Sequence, residues 1–142
     1  MRVDRDMLEQ CRKAARLAES TWERMQRIRS RAESTTQGYG STGGGGGSPD
    51  KVGNAVADLD ELLNRFDEQT ADYAELALDV DAAIWTLDDS RHRLVMGLRY
   101  LDGLNWPEVA ARASYAISHC YDLHKEALAL LGIESTKDQS QS

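Results

Sequence analysis

From Val52 to Leu87 the chain repeats Val52, Val56, Leu59, Leu63, Phe66, Thr70, Tyr73, Ala77, Val80, Ile84 and Leu87, alternating four and three residues apart without a slip. That register draws an apolar stripe along one side of an α-helix, and five heptads of it demand burial against another helix. The opposite face is almost wholly acidic, with Asp58, Asp60, Glu61, Asp67, Glu68, Asp72, Glu75, Asp79 and Asp81. A segment upstream supplies the complement. From Asp4 to about Glu33 the residues Cys11, Ala14, Ala18, Thr21, Met25, Ile28 and Ala32 keep the same spacing, beside Arg12, Lys13, Arg16, Arg24, Arg27, Arg29 and Arg31. About 30 residues at 1.5 Å each make a rod of roughly 45 Å. Its seam is small or mixed, so alone it is a weak coiled coil and needs the second helix.

Between the two lies GYGSTGGGGGSPD, with consecutive glycines from Gly43 to Gly47. The Gly-x4-Gly-Lys-Ser/Thr order of a phosphate-binding loop is missing and no strand precedes it. The segment 37–50 therefore reads as a flexible linker. The expected arrangement of residues 1–88 is a long antiparallel helical hairpin, a coiled-coil stalk. The linker is long enough for the first helix to cross to a second subunit, and a homodimer built through the stalk is the preferred assembly. Exposed ion pairs contribute only about 0.2 to 1 kcal/mol each, so the charges select the partner more than they stabilise it.

Composition agrees with an all-α protein: two prolines, nine aromatic residues and no stretch of strand-like alternation leave little for a large globular core. The net charge of −7 is uneven. Residues 1–35 hold nine basic against six acidic side chains, residues 50–89 hold two against twelve, and residues 90–133 hold five against four. The acidity thus belongs to one helix. MRVDRDMLEQ has no apolar core of a signal peptide, and no apolar run approaches the roughly 20 residues that span a bilayer. Cys11 and Cys120 are too few for a disulfide framework and read as reduced packing residues. The expected location is the cytoplasm, with no membrane partner.

Residues 89–132 have a different organisation. A helix from about Ser90 to Leu101, capped by Asp88, Asp89 or Ser90, stops at Gly103, which tolerates a left-handed conformation. Asn105 stands three residues before Glu108, so the two can form a capping box, with Pro107 tolerated in the first turn. After Arg112 a break at Ala113, Ser114 and Tyr115 leaves room only for an angular turn. The last helix, about Ala116 to Leu131, repeats Ile117, Cys120, Tyr121, Leu123, His124, Ala127, Leu128 and Leu131, and Gly132 ends it. Helices joined by turns this tight are the sequence form of a helix-turn-helix. The tail, residues 133–142, has no apolar residue from Glu134 onward and is expected to be disordered.

The segment L-R-Y-L-D-G-L-N-W-P-E-V-A, followed by S-Y and H-x-x-x-L-H-x-x-A-L, resembles region 4 of sigma factors. It is still more similar to a group of small phage proteins that includes the ArpU-like and RinA-like late-gene transcriptional regulators. The resemblance implies a helical N-terminal half carrying a C-terminal sigma-region-4-like helix-turn-helix. It also implies double-stranded DNA as the partner, in the cytoplasm of a bacterial host.

If the last helix enters a major groove, Tyr115, Ser118, His119, Asp122 and Lys125 face base edges or phosphates, and Arg91, Arg93 and Arg112 grip the backbone. Asp122 can only accept, from cytosine N4, and Lys125 is better placed for phosphate. The charge is modest for a monomer, since affinity follows the number of phosphates neutralised, and dimerisation would double it. Leu98, Leu101, Leu104, Trp106, Val109, Ala110, Ile117, Leu123 and Leu128 are expected in the core. His124 reads as a satisfied core histidine, and Arg99 and Tyr100 as ties between the first helix and the turn. His119 and His124 diverge by about 140° around a helix, which argues against a metal site. No metal, cofactor or catalytic group is expected, and the acidic stripe reads as a solvated face rather than a carboxylate dyad. Two other functions remain open: docking on host RNA polymerase or another phage protein without reading DNA, and small-terminase-like recognition of DNA for packaging.

Overall fold

A computed structural model describes residues 3–38 and 49–134, and all regular structure within them is helical. The elements are α1 (Arg5–Gly38), α2 (Pro49–Trp85), α3 (Ser90–Met96) continuing into a π-helical turn (Gly97–Leu101), α4 (Trp106–Ala113) and α5 (Ile117–Leu130). The long helices extend further toward the glycine run than the seams require. Most of the expected linker, and the tail after Glu134, lie outside the described residues. No helix among those described is long and apolar enough to cross a membrane. The chain divides into two compact units, residues 17–70 and residues 1–16 with 71–142. One cut falls inside α1 and the other inside α2.

In the unit 17–70, Ala18, Thr21 and Met25 of α1 are buried, and the Trp22 ring meets Phe66 of α2 with centroids 5.6 Å apart. The α2 seam is only partly covered here. Val56 and Leu63 stay 54% and 44% exposed, and Leu17 and Trp22 are exposed as well.

In the other unit two apolar clusters share α3. Val3, Leu8 and Cys11 pack with Val80 and Ile84 of α2, with Leu87 just after it, with Met96 and Tyr100, and with Ala127, Leu128 and Ile133. Val95 and Leu98 instead join Val109, Cys120 and Leu123, with Leu104, Trp106 and Ala110 against them. Both cysteines are buried free thiols, and burial pushes the Cys11 thiol up to about 11. Ile117 departs from expectation at 38% exposed. The buried face of α5 is centred on Cys120, Leu123 and Ala127, and both Ile117 and Tyr121 are rotated to its edge.

The helix expected over Ser90–Leu101 is α-helical only to Met96. Its last turn is wound wider, with the Asp102 amide donating to the Gly97 carbonyl at 3.0 Å and the Leu104 amide to that of Leu98 at 3.1 Å. A π turn admits one extra residue and leaves carbonyls to be satisfied from outside. Tyr73 of α2 donates its hydroxyl to the Leu101 carbonyl at 2.8 Å, and Arg99 donates to that of Leu104 at 3.1 Å. Gly103 follows at φ +74°, and a Cβ there would stand 3.0 Å from Ala15 Cβ and 3.1 Å from the Arg12 carbonyl oxygen. The turn is thus seated directly on α1.

These contacts separate two glycines in the same segment. Gly103→Ala should destabilise the protein by about 2 kcal/mol or more, combining left-handed strain with the collision on α1. Gly97→Ala, where a Cβ meets nothing within 4 Å, should be neutral or stabilise by up to about 1 kcal/mol through helix propensity. Guanidinium unfolding of both variants checks the contrast.

Candidate nucleic-acid interface

Local chemistry sets the starts of α3 and α4 before any tertiary contact is counted. Asp89 caps α3, its Oδ1 accepting the Arg91 amide at 2.9 Å, and Arg91 closes back on the same carboxylate with Nη2 2.7 Å from Oδ2. The Arg91 side chain and amide together hold the Asp89 carboxyl well below the usual carboxylate range. At α4 the expected capping box is present: Asn105 Oδ1 accepts the Glu108 amide and Glu108 Oε1 accepts the Asn105 amide, both at 2.9 Å. The same Glu108 oxygen meets Arg16 of α1 at 3.2 Å. α4 ends at Ser114, a left-handed residue at φ 61°. Ala116 then returns the chain to extended backbone and starts α5 without any side-chain cap.

The inner side of α5 is held by a ring cluster. Tyr100 Oη and His124 Nε2 share a hydrogen bond of 2.6 Å in the interior. The Trp106 ring meets His124 edge-on at 4.8 Å and Tyr121 at 5.0 Å, and the Arg99 guanidinium lies 4.6 Å over Trp106. Burial, with the nearby charges of Arg5 and Arg99, lowers the His124 imidazole to about 3, while burial raises the Tyr100 hydroxyl to about 12. Both groups are neutral near pH 7 and serve the fold. Buried His92 makes a second tie to α5, its Nε2 2.9 Å from Glu126 Oε1.

The outward side of α5 carries Ser118, Asp122 and Lys125, all exposed. Among the described residues the side chains of these three make no hydrogen bond or ion pair. Tyr115 and His119, both half-buried, stack edge to face at 5.0 Å on the N-terminal shoulder of the helix. Arg112 is exposed in the last turn of α4. The remaining two arginines have work inside the fold. Arg91 closes on Asp89, and Arg93 donates to the carbonyls of Leu87 at 2.6 Å and Asp88 at 3.1 Å while lying over Trp85. The expected set therefore splits. Five residues gather on or beside the free face of α5, Arg112 stands apart on α4, and Arg91 and Arg93 close the junction between α2 and α3. The sequence places Ile117 in the core and Tyr121 in the apolar repeat, yet both border the same outer face, at 38% and 46% exposed.

Among the described residues, no three His, Cys, Asp or Glu side chains converge as they would around a metal ion. No family model matches the chain, and neither do the characterised proteins or solved structures with which it was compared.

Because His124 is lowered to about 3 from the ordinary histidine value of 6.5, the unfolded chain binds a proton between those values that the folded protein excludes. Stability therefore rises with pH across that window and is lost as pH falls through it. Between pH 7 and pH 4 the loss from this residue should be on the order of 3 kcal/mol. Guanidinium midpoints measured at several pH values should fall steeply for the native protein and less steeply for His124→Gln.

Proposed function

We propose that this chain is a DNA-binding transcriptional regulator of phage or prophage type, acting on late genes as a homodimer. On this reading α1 and α2 form an oligomerising hairpin, and α3 to α5 form a sigma-region-4-like helix-turn-helix whose last helix enters the major groove. The observation that carries the reading is the asymmetry of α5. One face is locked into the interior through Cys120, Leu123, His124 and Ala127, and the other offers Ser118, Asp122 and Lys125 without partners among the described residues. Alanine is a poor N-cap, so Ala116 leaves the first amides of α5 to solvent or to a phosphate. Both other short helices are capped by side chains. The partly exposed seam of Val56 and Leu63 supports dimerisation. A dimer also answers the shortage of basic groups, since Lys125 and Arg112 alone neutralise few phosphates.

A second reading has its own support. Exposed Ile117 and Tyr121 beside the outer face, together with the engagement of Arg91 and Arg93 within the fold, suit docking on host RNA polymerase or another phage protein.

Selection of bound duplexes from a random library decides between them. Enrichment of a defined sequence is expected. Lys125→Ala should weaken binding evenly across sequences and lower the salt slope by about 1, whereas Asp122→Arg should alter the preferred bases. Ala116→Asp should stabilise the fold by about 1 kcal/mol and yet weaken duplex binding, because the new cap takes the amides a phosphate would use. Failure to prefer any duplex over random DNA at moderate salt overturns the DNA reading. Co-purification with polymerase that survives nuclease treatment would then favour the second.

A further inference from the structure

The C-terminal half of α2 is apolar on two opposite sides. One side, with Val80 and Ile84, is in the core. The other carries Ala71, Ala74, Leu78, Ala82 and Trp85, spaced three or four apart and all exposed. At 100° per residue these five fall within about 80° of one another, opposite the buried seam. Leu78 is 75% exposed and Trp85 67%. The heptad register from Val52 to Leu87 does not include them. Arg93 lies 5.2 Å from the Trp85 ring centroid and fixes the indole while leaving most of it open. Beside the stripe, Ala82 and Asp79 form one wall of a hollow of about 380 Å³ whose other lining includes Val3, Thr86, Leu131 and Ile133.

We propose that this face of α2 docks a helix of a partner protein whose apolar seam is flanked by lysine or arginine. The straight ridge, with small residues on either side of Leu78, suits side-by-side helix packing, and a large exposed aromatic is the usual anchor of such contacts. Charge selects the occupant. Glu75 and Asp79 run along one edge of the stripe and Asp81 along the other. A second copy laid antiparallel on the same face would bring acid against acid, whereas a basic-flanked helix meets opposite charge on both edges. Residues 135–142 contain no apolar side chain and do not match the stripe. This surface is separate from the outer face of α5, so the inference stands whether or not the chain reads DNA.

The test uses the full chain and a labelled synthetic helical peptide of about 21 residues, with leucine and alanine along its seam and lysine on both flanks, followed by fluorescence anisotropy. Saturable binding to one site per chain is expected, weakened at least about tenfold by Leu78→Ser and by Trp85→Ser. It should also be weakened by Glu75→Gln with Asp79→Asn, and change less than about twofold with Leu17→Ser in the other unit. A glutamate-flanked version of the peptide should not bind. Absence of binding by the lysine peptide overturns the proposal. So does binding that survives both serine variants, which reduces it to attraction between charges. Sedimentation showing that Leu78→Ser dissolves an oligomer assigns the face to a second copy and overturns it as well.

Discussion

A tyrosine hydroxyl and an imidazole, 2.6 Å apart and shielded from water, join what would otherwise be two separate apolar clusters. Tyr100 belongs with the ends of α1 and α2, whereas the Trp106 edge against His124 belongs with α4. A buried polar pair of this kind is stable only when each member satisfies the other, because an orphaned group in the interior costs about 1 to 3 kcal/mol. The pair therefore fixes the rotation of α5 about its own axis. It sets which residues of α5 face inward, and by subtraction which reach solvent. The π turn is the backbone's accommodation to this geometry, since it places Leu98 in one cluster and Tyr100 in the other.

Much of the path of residues 89–132 was legible because its punctuation is chemical and local. Asp89, the Asn105–Glu108 box, left-handed Gly103 and Gly132, and the turn at Ser114 each act within a few residues, and spacing alone reveals them. His124 as a satisfied interior histidine was legible for a related reason, its place on the apolar side of a periodic helix. Features set by distant chain were not legible. The wide turn at Gly97–Leu101 has no signature in sequence, because an α-helix over the same residues has equal local merit. Leu8, fully buried, and Ile133 enter the core only because the beginning and end of the described chain meet the same end of α2. Ile117 and Tyr121 follow the apolar repeat but exceed the arc that α3 and α4 cover. Arg91 and Arg93 look like free charges in a string of letters, and only their distances to Asp89 and to the carbonyls of Leu87 and Asp88 give them structural duties.

The charge pattern takes on meaning once the folded surfaces are separated. The acids of α2 are a property of one helix, not of the chain, and the free face of α5 is nearly neutral, with Lys125 beside Asp122. A surface of that kind discriminates by shape and hydrogen bonding more than by bulk attraction. For duplex DNA this means strong dependence on valency, and for a protein partner it means tolerance of salt. The acidic edges of α2 behave oppositely and favour fast, salt-sensitive encounters with basic surfaces.

The seating of Gly103 on α1 has a consequence for the order in which the protein can be built. The Arg16–Glu108 ion pair joins residues 92 positions apart, and Leu8 and Cys11 wait for partners from α3 and α5. On the ribosome the first turns of α1 emerge long before α3 and α5 exist to cover them, and non-local closure of this kind slows folding. Throughout that interval Leu8 and Cys11 lack these partners and depend on α2 or on a chaperone for cover. For the same reason, residues 89–132 released from the rest would not reproduce the native unit, because a wall of their core is synthesised first.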